Sequence, residues 1–532
     1  MLAITAGEML LLRTRCAVLR LTLAFSTAEL PVIRLPRRTE LWLESREKQN
    51  QSETVFAPRG GKLLISTRRR ELVQLSRDIC GKWEQPALVS RGWKHSQSHG
   101  DYFTINRQRD QRPWPETEDT FEPLQLHPSL LEALHALKIT SPTWVQKHSI
   151  PVLLQGKNVL CASETGSGKT MAYLIPLMQR LLTQQGDLGS TEPRSLVLVP
   201  SRELAGQVTS VARRLVAHMG LTVRFVGGGL GRKSIEKQFD TSALDILVAT
   251  PGALLKALKW DKLSLADLCF IALDEADTLF DDTFSGLVEE ILMQTQIASH
   301  ANEVCGAVRK AQLAIIGATF PKGVGQLLSK VTDIASIYTI KSKRLHFLMP
   351  HVEQTFRRLK GSDKISELVE LLKKQAAEKH GSGILVFCNT SKTVNWLGYI
   401  LNDHDIKHSR LHGQMPADMR VGIFNCFQKG DTDVLVCTDI ASRGLDSCRV
   451  ETVVNYDFPN TLEDYLHRAG RVGRIGSACQ GSVVSFVTFP WDVELVQKIE
   501  TAARKRSSLP GMESSIREAV QTNDPTNDQE KL

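Results

Sequence analysis

No run of 18 or more apolar residues occurs in this 532-residue chain, so no segment is long and apolar enough to cross a bilayer as a helix. None of its ten cysteines forms a Cys-x-x-Cys pair or a Cys/His cluster with zinc spacing, and no metal site of that kind is expected. Several cysteines, Cys269 and Cys437 among them, lie in apolar strand-like runs. They read as buried, reduced thiols in a reducing compartment. Acidic residues are scarce near the N-terminus. Residues 1–115 hold 20 Lys/Arg against 11 Asp/Glu, whereas the remainder is balanced at 46 against 47. The basic excess therefore sits in an N-terminal extension, which favours nucleic acid or an anionic membrane surface as a partner.

The length exceeds one ordinary core and suggests two or three domains. Residues 1–38 contain six Arg and two acids, with hydroxyl residues among the leucines, and Arg20 breaks the apolar stretch that a secretory signal needs. This pattern reads as a mitochondrial presequence, followed by a basic extension over 39–118.

From about 119, β-rich runs alternate with helical segments. The runs are KNVLC at 157–161, SLVLVP at 195–200, DILVATP at 245–251, CFIALDEAD at 269–277 and QLAIIGAT at 312–319. A second series follows, with GILVFCN at 383–389, TDVLVCTD at 432–439, VETVVNYD at 450–457 and GSVVSFVT at 481–488. The alternation predicts α/β architecture, two parallel-sheet domains over 119–341 and 362–506, a linker at 342–361 and a tail over 507–532. In open sheets of this kind ligands bind beyond the carboxyl ends of the strands.

CASETGSGKT at 161–170 follows the first run and precedes a helical segment. Gly166 and Gly168 let backbone N–H groups converge on phosphate oxygens, Lys169 reaches the β/γ-phosphates and the Thr170 hydroxyl joins a Mg²⁺ shell. Ser163 departs from the pattern, because it occupies the first glycine position of the usual phosphate loop. LDEADTLF at 273–280 supplies the complementary chemistry. Asp274 closes a buried strand, where a carboxylate calls for a cation such as ATP-bound Mg²⁺, and Glu275 is placed to orient the attacking water. HRAGRVGR at 467–474 offers Arg468, Arg471 and Arg474 at helical spacing. Arg471 and Arg474 on one face are candidate arginine fingers.

With these motifs in order, the chain resembles the DEAD-box ATP-dependent RNA helicases of superfamily 2 over about 119–506. The resemblance implies two RecA-like domains joined by a flexible linker. It implies a Q motif built from Phe121 and PTWVQ at 142–146, with Gln146 reading adenine. Thr165, Gly166, Ser167, Gly168, Lys169 and Thr170 of motif I, with Asp446 of CTDIASRGLD (437–446), would hold the nucleotide. PSRELA (200–205), GGG (227–229) and TPG (250–252) resemble RNA-facing motifs, which implies RNA contacts from Arg202, Gly228, Thr250 and Gly252. In the second domain the same reading implies contacts from Asn389, Arg420 and Thr438.

The departures are Gly317 for the serine of motif III, Ala253 after TPG, Ala417 in the QxxR motif and Ser201 in motif Ia. Gly317 removes a hydroxyl near the DEAD segment, so Asp277 is expected to need another donor or water. That loss motivates an alternative function, an ATP-gated RNA clamp or scaffold that hardly unwinds. GATFP, CNTSKTVNWLGYIL and FPWDVELVQKIE narrow the resemblance to a mitochondrial branch of the family. That branch is tied to RNA granules and large mitoribosomal-subunit assembly. It implies mitochondrial ribosomal RNA and assembly intermediates as partners, and a monomer. RKR at 504–506 reads as surface charge, with nuclear entry as the alternative.

Overall fold

The computed structural model describes residues 62–81, 83–108, 120–183, 192–228, 243–304, 310–319, 324–378, 381–439, 449–474 and 481–512. The first sheet has seven parallel strands. In spatial order they are Tyr338–Lys341, Val159–Ala162, Gln312–Gly317, Phe270–Leu273, Ser195–Leu198, Ile246–Ala249 and Val223–Val226. All but the two outermost strands are buried along their whole length, as near-continuous apolar runs demand. Helices cover both faces, and two buried clusters, one around Leu247 and Leu273 and one around Phe270 and Tyr173, fill the space beneath them.

The second sheet contains His408–Leu411, Val434–Cys437, Gly383–Phe387, Val450–Asn455, Ser482–Val487 and Glu353–Arg358 in that order, all parallel. Glu353–Arg358 falls inside the stretch read as linker, so the connection between the two sheets is shorter than expected and runs over 342–352.

Three antiparallel strands complete this second sheet, and all come from the N-terminal extension. Tyr102–Ile105 pairs with Glu353–Arg358, Leu63–Thr67 pairs with Tyr102–Ile105, and Gln74–Leu75 closes the edge. The reading of 39–118 as a basic arm ahead of the first domain is thus corrected over 62–108. Trp93 and Phe103 are fully buried there, Phe103 stacks on Phe356 with centroids 4.7 Å apart, and the Trp93 indole donates to Asp101 at 3.0 Å. The buried Glu500 carboxylate accepts from the Val89 and Ser90 amides at 2.8 and 3.0 Å and pairs with Arg504 at 2.8 Å. Arg504 is therefore internal, and RKR at 504–506 is neither plain surface charge nor an open nuclear signal.

The chain crosses from the second sheet to the first domain after Gln108 and returns through 342–352. The two crossings touch, because the Gln108 amide donates to Pro350 O at 2.8 Å. The presequence reading at 1–38 and the tail beyond 512 lie outside the described residues.

Candidate nucleotide site and RNA face

The phosphate loop leaves the strand Val159–Ala162 and enters the helix Lys169–Thr183. Gly166 and Gly168 take φ of +74° and +86°, and a Cβ on Gly168 would come 2.7 Å from Gln146 Nε2, so glycine is required twice over at that position. Ser163, the off-pattern residue, is buried and donates its hydroxyl to Ser167 Oγ at 2.9 Å, which fixes the base of the loop. Lys169 Nζ donates to the Ser163 and Glu164 carbonyls, both at 2.8 Å. Burial lowers its pKa, with Asp277 and Asp274 acting against the shift. Gln146 is held in a capping box with Thr143 and donates Nε2 to Gly168 O at 3.0 Å. It braces the loop with one of its two Nε2 hydrogens. Phe121 is sunk in the first domain's core at 4% exposure, not laid open over the loop.

The DEAD turn ends the strand Phe270–Leu273. Asp274 is buried, accepts from the Tyr173 hydroxyl at 2.9 Å and from the Glu275 amide at 2.9 Å. Burial, with Glu275 beside it, pushes its pKa up to about 6. Tyr173 also bonds to Thr170, so one phenol joins the two residues expected at Mg²⁺. Glu275 sits at φ +50°, in the left-handed region, and its Oε2 is buried without a hydrogen-bond partner. Among the described residues no group of three His, Cys, Asp or Glu could cage a metal alone. A strongly buried carboxylate and an orphaned carboxylate oxygen beside the loop fit a cation that brings phosphate ligands with it.

The second domain meets this surface through the turn after the helix Leu462–Ala469. Gly470 packs directly on Thr165, and a Cβ on Gly166 would come 2.9 Å from Arg474 Cγ. Arg471 lies 4.0 Å from Glu275 Oε1 and His467 Nε2 lies 3.2 Å from Asp277 Oδ2. The helical-spacing argument is corrected in one respect. The helix stops at Ala469, so Arg471 and Arg474 stand on the turn beyond it, while Arg468 points inward. Arg468 is 1% exposed and forms a bidentate pair with Asp439, both bonds at 2.6 Å, and also binds Asp457 O and Asn389 Oδ1, each at 2.7 Å.

Asp277 does not lack donors despite Gly317. Its Oδ2 accepts from the Ala318 amide at 3.3 Å and from the Thr319 amide and hydroxyl at 3.4 Å, and meets His467 from the other domain. Burial alone would raise its pKa, yet His467 and Lys169 hold it well below the usual carboxylate range.

The residues read as RNA-facing gather at carboxyl ends of strands. Arg202 donates to Gly228 O at 3.0 Å and lies over Phe225, 5.9 Å from the ring centroid. Thr250 opens the helix Pro251–Lys259 without using its hydroxyl as a cap, and the Gly252 Cα position faces open space. Thr438 follows the strand Val434–Cys437. Two of these side chains have protein partners. The Asn389 amide donates to Phe458 O at 3.0 Å and accepts from Arg468 at 2.7 Å. Arg420 lies 3.2 Å from the buried Glu203 of the first domain, which makes it a contact between domains. Asp446 falls outside the described residues. Sequence reasoning missed Tyr173, His467 and Glu203. Only Tyr173 carried a signal, three residues beyond Thr170 and so on its helix face.

A phosphate loop on one parallel sheet, faced by an arginine-bearing turn from another, defines a two-domain, RecA-like nucleotide-driven enzyme. A DEAD/DEAH box helicase family model matches residues 143–327, and a helicase conserved C-terminal domain model matches 363–476. The chain is 55% identical over 509 residues to a mouse (Mus musculus) protein named probable ATP-dependent RNA helicase DDX28, covering 92% of this chain and 93% of that one. It is 54% identical over 514 residues to the human (Homo sapiens) protein of that name, covering 94% and 95%. Among solved structures, S. cerevisiae Dbp5 bound to RNA and ADP BeF3 aligns with a TM-score of 0.60 at 25% identity, over 72% of this chain and 94% of that one. The DEAD-box helicase Mss116 bound to ssRNA and UDP-BeF aligns at 0.62 and 25%, over 70% and 76%. The chain belongs to the DEAD-box family of ATP-dependent RNA helicases.

Proposed function

We propose that the chain closes on RNA when it holds ATP, parts a short duplex locally, and reopens after hydrolysis. The observation that carries this reading is the seating of His467, Arg471 and Arg474 of one domain against Asp277, Glu275 and Gly166 of the other. Nucleotide binding at such a seam favours the closed state by differential affinity. Lys169 opposes the β/γ-phosphates, Gln146 and the loop amides hold the nucleotide, Glu275 orients the attacking water, and Arg471 with Arg474 offsets developing charge. Mg²⁺ supplies neutralisation of the phosphates when bound, and Asp274 with Thr170, joined through Tyr173, are the residues that would hold it. Arg202, Gly228, Thr250, Gly252 and Thr438 grip the sugar-phosphate backbone, which provides affinity without reading sequence, and RNA preference comes from 2′-OH contacts. The RNA-bound Dbp5 and Mss116 relatives support that path.

The proposed setting is the mitochondrion, with residues 1–38 as an import signal. The proposed task is assembly of the large mitochondrial ribosomal subunit, acting on its RNA and assembly intermediates as a monomer. The acid-poor, Arg-rich N-terminus and the family-branch stretches support this setting. Gly317 no longer argues for a scaffold without unwinding, because Asp277 has other donors.

The test is Glu275→Gln beside Lys169→Ala. The first variant should retain ATP and stay on RNA while turnover falls at least ~10²-fold, and the second should lose hydrolysis. Normal turnover by Glu275→Gln would remove Glu275 from its role. Crosslinking followed by sequencing of the bound RNA, with localisation of a tagged full chain, checks the setting. Cytosolic residence of an intact chain would overturn it.

A further inference from the structure

A second cavity lies away from the nucleotide, on the outer side of the first domain. It has a volume of about 700 Å³ and sits between the helix Arg202–Leu215 and the edge strand Val223–Val226. Gly206, Thr209, Ser210, Arg213 and Arg214 recur at three- and four-residue spacing and form one stripe of the helix, and Arg224 and Phe225 face it from the strand. Three guanidinium groups line the cavity, and among the described residues no carboxylate does. Arg213 is partly structural, because it donates to Val223 O at 3.2 and 3.3 Å and so covers the strand's free edge.

The decisive feature is Thr209. The residue is 3% exposed, and its Oγ1 is buried with no hydrogen-bond partner, not even the carbonyl one turn back that a helical threonine ordinarily reaches. A buried hydroxyl left unpaired costs free energy that a ligand would offset. Phe225 adds an aromatic wall. It links the cavity to the RNA face, because the same ring lies under Arg202, whose guanidinium binds Gly228 O. Glycine at 227 permits this approach, since a Cβ there would run into both Phe225 and Arg202.

We propose that this cavity is an outlying RNA site, which takes a phosphate of single-stranded RNA continuing beyond the clamped segment, with a base against Phe225. Arg214 and Arg224 supply charge, and Thr209 donates its hydroxyl to a phosphate oxygen. A stacked base beside a cationic groove is the usual chemistry of sequence-tolerant single-strand binding. The site rests on the RNA-binding reading above and extends it past the family's motifs.

The experiment measures affinity of the full chain for single-stranded RNA of about six and of about sixteen nucleotides, across a salt series. The double variant Arg214→Ala/Arg224→Ala should bind the long RNA about tenfold more weakly and lower its log–log salt slope by about 0.7, as for one phosphate on a single strand, with the short RNA unaffected. Thr209→Val, nearly the same in shape, should weaken only the long RNA, roughly fivefold. ATPase activity stimulated by the short RNA should not change in either variant. Equal loss for both lengths, or no loss for the long RNA, would overturn the site. Failure of the parent chain to bind either RNA would overturn the underlying RNA reading as well.

Discussion

Asp274 shows how one residue couples the fold to its ligand. Burial holds its carboxyl near a pKa of about 6, so the folded chain binds this proton more tightly than the unfolded chain. The stability so gained is complete below the ordinary carboxylate range and is lost as pH rises through about 6. A cation at the site removes the penalty. Stabilisation by Mg·ATP, read as a shift in Tm, should therefore be larger at about pH 7.5 than at about pH 5.5, and Asp274→Asn should flatten the difference. Equal shifts in the parent chain at both pH values would sink the assignment. Asp277 behaves oppositely, its depressed pKa contributing stability that is complete above the ordinary carboxylate range and lost as pH falls below it. Its partners also decide the question raised by Gly317. Gly317→Ser should leave unwinding per ATP unchanged, because the Ala318 and Thr319 amides and the Thr319 hydroxyl already serve the carboxylate. His467→Ala removes its contact to the other domain and should lower RNA-stimulated turnover about tenfold, as loss of a hydrogen bond to a charged group implies. Steady-state ATPase beside a strand-displacement assay checks both variants.

At the scale of elements, Arg468 fastens the helix Leu462–Ala469 to the loops after the strands Val434–Cys437 and Gly383–Phe387 through Asp439 and Asn389. The turn bearing Arg471 and Arg474 begins two residues later, so its position depends on this anchor. Arg468→Ala removes the bidentate pair with Asp439 and empties a buried volume. It should cost about 3–5 kcal/mol in urea unfolding and reduce ATPase activity in parallel. Arg468→Lys keeps the charge but not the planar fork, and should recover stability only in part. Full recovery by lysine would mean that charge alone matters there.

At the scale of the molecule, the first domain is an insertion in the second. Strands within 63–105 and 353–487 share one sheet, and both crossings meet at Gln108 and Pro350. Over its described residues, 62–81 and 83–108, the extension is thus part of a core. Trp93→Ala, which leaves every charge in place, should destabilise the second domain by about 3–5 kcal/mol. Deletion of 62–107 should leave the chain poorly soluble, because it uncovers the strand Glu353–Arg358 as an open edge. A deleted chain that stays soluble, unfolds at the parent's urea midpoint and loses only salt-dependent RNA affinity would restore the view of a basic arm.

The sequence by itself determined the two parallel sheets, the phosphate loop and the acidic turn. Each is written locally, in apolar runs that must be buried on both faces and in residue types that loop geometry demands. Tertiary structure alone decided the rest. Leu63–Thr67 and Tyr102–Ile105 are short strands inside the sheet whose register comes from their antiparallel partners, and no local pattern names Glu353–Arg358, some 250 residues on, as the partner of Tyr102–Ile105. Arg468, Arg471 and Arg474 look equivalent in the chain. Which of them turns inward depends on Asp439 and Asn389, and where the other two point depends on the helix ending at Ala469 and the phosphate loop standing opposite.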